Sequence, residues 1–324
     1  MSGKYEKEMD FERKIKSKLE NAPSILSEYY YSLIGSGKSY ATAYNYINYV
    51  LQFIKYTFGN KYDEEFYNHV KPIHINKYIS SMRTKNANGK IERTSDSIKG
   101  VHWSALNSFF QFLVGSHLSS NPVSSTQRPK NKDNPQVTYL TTDEIANVLT
   151  NVEQTAQKRF KNRDLCILKL GFSTGLRVSA MIQIDLDDID FNKNQIRVTE
   201  KGDYDQYIMF GDNMKSQLQE WIADREKYFG QTESNALFVS QKGTRISDDT
   251  INRIFKQYSD GITDKHVHPH VMRHSCATNL YEKTGDIYLC SKQLNHKNVS
   301  TTTRYAELSQ ERQKKATSIL DDMI

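Results

Sequence analysis

The apolar residues of this chain keep a helical period almost throughout and break it in one short stretch. That pattern restricts the fold to helices around a small sheet. From Ser39 to Phe58 the apolar positions Ile47, Val50, Leu51, Ile54 and Phe58 form one helix face. From Ser95 to Val114 the predicted stripe is Ile98, Val101, Ala105, Phe109 and Phe112. Weaker helices are predicted over Ile25 to Leu33 and Ile73 to Met82. Asn88-Gly89 marks a loop, and Gly115 with Asn121-Pro122 ends the last of these four helices. Four helices of this length make one small bundle.

Residues Ser124 to Pro135 have no periodicity, two prolines and a basic bias, and are read as a linker. Beyond it, Thr141 and Glu144 have the spacing of a capping box that opens a helix. Helical spacing runs through Gly171 and resumes near Val178. Gln195 to Thr199 then alternates, as does Gln206 to Phe210, with Lys201-Gly202-Asp203 between them, so a hairpin is expected. Leu237-Phe238-Val239 is expected to add a short third strand. Ser247 is the expected cap of a helix starting at Asp248. The length of 324 residues suits two domains.

Forty-four Lys and Arg against 38 Asp and Glu leave a net charge of +6, which favours an anionic partner. Three cysteines, Cys166, Cys276 and Cys290, with no C-x-x-C, argue against a disulfide framework or a zinc ribbon. No apolar run reaches the roughly 18 residues of a membrane span. Met1 to Lys18 has mixed charge and no apolar core, so it does not read as a secretory signal. A cytoplasmic protein is expected.

Six polar residues in the second half carry the chemistry: Arg177, Lys201, His270, Arg273, His296 and Tyr305. Alone, each reads as surface or structural. Together they supply cations for a phosphate, proton carriers, and a phenol that can attack it. Their contexts are Ser173-Thr174-Gly175-Leu176-Arg177, His270-Val271-Met272-Arg273-His274, Leu294-Asn295-His296 and Thr303-Arg304-Tyr305. In these segments the chain resembles the tyrosine recombinase (phage integrase) family, closely over Leu140 to Leu308 and more loosely over the N-terminal bundle.

The resemblance implies a mainly helical protein with a small β-sheet. It implies an N-terminal extension (1–22), a helical, SAM-like core-binding domain (23–123), a linker (124–138) and an α+β catalytic domain with a C-terminal oligomerisation helix (139–324). The two domains would form a C-shaped DNA clamp. It further implies Tyr305 as nucleophile, His270 as base, Lys201 as general acid, and Arg177, Arg273 and His296 as phosphate donors. The product would be a 3′-phosphotyrosyl bond, made without metal, ATP or other cofactor.

The implied partners are double-stranded recombination sites and three further protomers, linked through a C-terminal segment. That segment, Gln310 to Ile324, carries Ala316, Ile319, Leu320 and Met323 on one side. An accessory DNA-bending or directionality protein also fits. An integrase of a mobile element is the first reading. An Xer-type chromosome-dimer resolvase, a type IB topoisomerase-like enzyme and an architectural protein with a decayed site are the alternatives. The family usually has an acidic residue three positions after its first arginine; here it is Ala180. Glu200 also stands before Lys201, where glycine is common.

Candidate DNA contacts are Lys38, Ser39, Thr42, Asn45, Lys99 and Trp103 in the first domain. Arg128, Lys130 and Lys132 in the linker join them, as do Lys242 and Arg245 in the second domain. Three further patterns are decoys. His266, His268, His270 and His274 hold no H-E-x-x-H, because position 271 is valine. The carboxylates of Asp185 to Asp190 lack an EF-hand's glycine and glutamate, and are expected as a solvated turn. Gly35-Ser36-Gly37-Lys38-Ser39 lacks the first glycine of a P-loop and follows a helix instead of a strand.

Overall fold

A computed structural model describes the chain except for residues 1, 60–61, 86–88, 131–136, 201–203, 231, 233 and 295–324. The chain divides into two units, Met1–Asn134 and Pro135–Ile324. Both are mainly helical, as the periodicity predicts, and each described sheet is small.

The first unit contains α1 (Ser2–Leu19), α2 (Ser24–Gly35), α3 (Tyr40–Phe58), α4 (Pro72–Ser81) and α5 (Asp96–Leu113). A two-stranded ribbon, β1 (Arg83–Lys85) and β2 (Ile91–Arg93), stands between α4 and α5. Of the loop expected at Asn88-Gly89, Asn88 lies outside the described residues and Gly89 falls between β1 and β2. Ser39 caps α3 by accepting from the Thr42 amide at 3.2 Å, and Ser95 caps α5 by accepting from the Ile98 amide at 3.4 Å. The core is aromatic: Phe53, Phe66, Phe109 and Phe110 are fully buried, and the Tyr29 and Phe109 rings meet edge-on at 5.2 Å. The extension at the N-terminus adds a fifth helix, α1, whose Ile15 is fully buried in this core.

One expectation fails here. The stripe predicted for α5 is rotated, for Ile98 and Val101 are 44% and 40% exposed. The buried face runs instead through His102, Ala105, Leu106, Phe109, Phe110 and Leu113. The imidazole of His102 takes the core position because the Tyr78 hydroxyl satisfies its Nδ1 at 2.9 Å. The first residues of the linker are hydrogen-bonded to the bundle. Thr126 accepts a hydrogen bond from the Trp103 indole at 2.8 Å and donates to the Val123 carbonyl at 2.7 Å. The Pro129 carbonyl lies so close to Gly100 that a β-carbon there would sit 3.3 Å from it.

The second unit opens with α6 (Thr142–Thr155), capped reciprocally by Thr141 and Glu144 as predicted. There follow α7 (Lys158–Thr174) and α8 (Val178–Gln183). A three-stranded antiparallel sheet of β3 (Ile189–Asp190), β4 (Gln195–Glu200) and β5 (Tyr204–Met209) comes next. The chain continues in α9 (Asp212–Phe229), α10 (Asp248–Ser259), α11 (Pro269–Thr284) and α12 (Ile287–Gln293). The Ser247 cap holds, accepting from the Thr250 amide at 3.3 Å.

The expected third strand is corrected. The strand beside β4 is β3, paired Ile189 to Ile196, and not Leu237-Phe238-Val239. That apolar run is fully buried, and its backbone is shared between two neighbours. The Leu237 amide donates to the Ile184 carbonyl, and the Phe238 carbonyl accepts from Ile246. A run buried on every side has no alternation by which to tell strand from core filler.

The acidic segment 185–190 is more than a solvated turn. Asp185 pairs with Arg245, Asp187 accepts from Asn235 at 2.7 Å, and Asp188 pairs with Arg197 at 2.7 Å. Asp190 accepts from the Asn192 and Lys193 amides, each at 3.0 Å. These carboxylates tie the sheet to its surroundings. Among the described residues no helix is long and apolar enough to cross a membrane.

Candidate active site

α7 ends where the site begins. Thr174 folds back to donate to the Leu170 carbonyl at 2.6 Å, and Gly175 turns the chain at φ 64°, a left-handed conformation suited to glycine. Leu176 is buried, and Arg177 follows, exposed, at the N-cap position of α8. The STGLR segment is therefore a helix stop that projects an arginine.

α11 brings the second arginine to this turn. It packs on α7 with no room to spare, since a β-carbon on Gly171 would lie 1.9 Å from the Met272 sulfur. Ser275 accepts from the Leu140 amide at 2.8 Å, and Asn279 donates to the Leu140 carbonyl at 2.9 Å. Those bonds fix the register of α11. Arg273 is only 7% exposed. Its guanidinium donates to the Gly175 carbonyl at 2.7 Å and to the Leu294 carbonyl. One planar side chain thus joins α11, the Arg177 turn and the chain leaving α12.

His270 lies one turn before Arg273, in the first turn of α11, and is exposed. Its neighbour His268 has its pKa pushed below the usual imidazole range by burial, and then by His270 and His266. The imidazole rings of His268 and His270 are 6.0 Å apart. Among the described residues no group of three or more His, Cys, Asp or Glu side chains is arranged to hold a metal. Ala180 is buried in the core one turn after Arg177.

Arg273 is thus bonded to the turn that Arg177 follows, and His270 lies on the same helix as Arg273. Lys201, His296 and Tyr305 lie outside the described residues. So do Lys132 and the segment Gln310 to Ile324. Among the candidate DNA contacts, Lys38, Ser39, Thr42 and Asn45 lie at the α2–α3 turn and the start of α3. Lys99 pairs with Asp96 at 3.1 Å, and the Trp103 N–H is taken by Thr126. Arg128, Lys130 and Lys242 are exposed. Arg245 is engaged by Asp185 and by the Ile182 carbonyl at 2.8 Å. Gly175 and Leu294 stand in the motif segments, but the role of their carbonyls as acceptors for Arg273 is not read from sequence. A glycine directly after a helical run was the available signal for the first; nothing in a sequence marks a carbonyl.

Residues 138–312 match the phage integrase family. The tyrosine recombinase XerC of Vibrio cholerae serotype O1 is 30% identical over 222 residues, which is 68% of this chain and 70% of that protein. The fold matches the XerH site-specific recombinase bound to a palindromic difH substrate, in a post-cleavage complex. The TM-score is 0.72 at 20% identity, covering 88% of this chain and 81% of that one. It also matches a lambda integrase tetramer bound to a Holliday junction, with TM-score 0.65 at 18% identity, covering 87% and 76%. The chain belongs to the phage integrase family, the tyrosine recombinases. It is by that membership an enzyme that cleaves and rejoins DNA at specific sites.

Proposed function

We propose that this recombinase breaks duplex DNA by attack of the Tyr305 hydroxyl on a phosphodiester, and reseals it by the reverse step. A bond forms between the phenol oxygen and phosphorus while the bond from phosphorus to the 5′-oxygen breaks. His270 takes the phenol proton, and Lys201 returns one to the departing 5′-oxygen. The product is a 3′-phosphotyrosyl enzyme and a free 5′-hydroxyl, which conserves the ester linkage. A 5′-hydroxyl from another strand then attacks the phosphotyrosine. Arg177 and Arg273, with His296, hold the non-bridging oxygens as charge builds on them. Such preorganised donors contribute roughly 3–4 kcal/mol each when removed singly.

The observation that carries this reading is the bond from Arg273 to the Gly175 carbonyl, two residues from Arg177. It supports a reading in which two permanent cations serve one phosphate, because phosphoryl transfer depends mainly on positioned charge. A nicked duplex that loses its 5′-product after cleavage tests the assignment. The wild type should accumulate a denaturation-resistant DNA adduct. Tyr305→Phe should form none while binding the duplex with nearly unchanged affinity. Adducts in that variant would refute the assignment of the nucleophile.

Strand exchange on DNA is further proposed to involve four protomers, with the segment 310–324 of one docking on the next. Integration of a mobile element and Xer-type resolution share this chemistry. The likeness to XerC over 68% of the chain favours the second. Recombination between two copies of one site supports resolution, whereas a requirement for two different sites supports integration.

A further inference from the structure

The β1–β2 ribbon buries none of its strand side chains in the first unit. All six of its strand residues are exposed, so neither face is buried against the bundle. A two-stranded hairpin with no apolar face buried is marginal in water. Its register sharpens the point. Arg83 stands opposite Arg93, Thr84 opposite Glu92, and Lys85 opposite Ile91.

Side chains alternate between faces along a strand. Arg83, Arg93, Lys85 and Ile91 therefore share one face, and the only acid, Glu92, lies on the other with Thr84. Two arginines directly opposite each other repel, which costs the ribbon stability. Ile91 is 63% exposed among these cations. Arg83 is held in place by donating to the Ser80 and Met82 carbonyls at the end of α4, each at 2.9 Å. The Thr94 amide closes the base of the ribbon on the Met82 carbonyl at 3.3 Å. β2 then leads through Ser95 directly into α5.

We propose that this cationic face is a second DNA-gripping surface, which lies along the sugar-phosphate backbone and makes contacts independent of base sequence. Phosphates neutralise the Arg83–Arg93 repulsion that the free ribbon carries. Ile91, beside Lys85, covers the apolar edge of a sugar. The alternative occupant of a cationic face, an acidic surface on a second protomer, is an outcome of the test.

The inference rests on the DNA reading above, and its test separates the two. Binding of the full chain to a random-sequence duplex is measured against salt concentration for the wild type, Lys85→Gln/Arg93→Gln and Lys85→Arg/Arg93→Lys. Each phosphate contact contributes a slope of roughly 0.9 in log affinity against log salt, so the neutral variant should lose roughly 1.8 from the wild-type slope. The charge-retaining variant should keep the wild-type slope. Thermal melting confirms that the exposed substitutions leave the fold intact, and Lys85→Gln alone should give half the change. An unchanged slope in the neutral variant overturns the inference, including when its assembly is weakened, which would assign the face to another protomer. A wild type that binds no duplex at all would defeat the broader reading instead.

Discussion

Gly175 carries more of the site than its lack of a side chain suggests. It stops α7 at positive φ, its carbonyl accepts from Arg273, and it packs beneath Leu294 and Cys276. A β-carbon there would lie 2.5 Å from Leu294 Cδ2 and 3.3 Å from Cys276 Sγ. Gly175→Ala should therefore destabilise the fold by about 1–3 kcal/mol, through strain and overpacking together. It should also slow cleavage at saturating DNA, because both arginines depend on that turn. Melting curves and single-turnover adduct formation measure the two effects; a normal cleavage rate would mean that the turn does not position the arginines. The six polar candidates rest on their flanking residues in sequence, and Arg177, His270 and Arg273 fall among the described residues. What Arg273 rests on is not legible there, since its partners include backbone carbonyls 98 and 21 residues away. The cysteines show the same limit. Burial pushes the Cys276 thiol up to about 12, a value set by packing and not by spacing.

At the scale of elements, α5 shows how a helix is read correctly and its face wrongly. Counting apolar residues places Ile98 and Val101 inward, yet the core accepts His102 because Tyr78 answers its polar atom. Burial lowers the pKa of His102 to about 4, from an ordinary value near 6.5. Its folded form therefore holds the proton less tightly than its unfolded form. The stability that follows is complete above about pH 6.5 and is lost as pH falls toward about 4. His102→Gln keeps an amide for Tyr78 and removes the titration. Between pH 7 and 4.5 the wild type should lose on the order of 2 kcal/mol more than this variant. Parallel acid unfolding of the two would mean that His102 is accessible to protons in the fold. The sheet makes a similar point: β4 and β5 alternate and were legible, while β3 is two residues long and stood hidden inside an acidic run.

At the scale of the whole molecule, the helical period was readable because it repeats over many residues. The helix α1 was not, for its mixed charge masks the burial of Ile15. The assembly prediction belongs here. Deleting residues 316–324 should leave single-site binding within about twofold while impairing the pairing of two sites. Equal pairing by the truncated chain would remove the docking role proposed for that segment.

The central claim is that one phenol oxygen, served by Arg177 and Arg273, becomes bonded to the DNA. Mass spectrometry of the trapped adduct after proteolysis tests it most directly. A nucleotide attached through its 3′-phosphate to the peptide containing Tyr305 is the predicted result. Attachment at any other tyrosine, or at a serine or histidine, would contradict it.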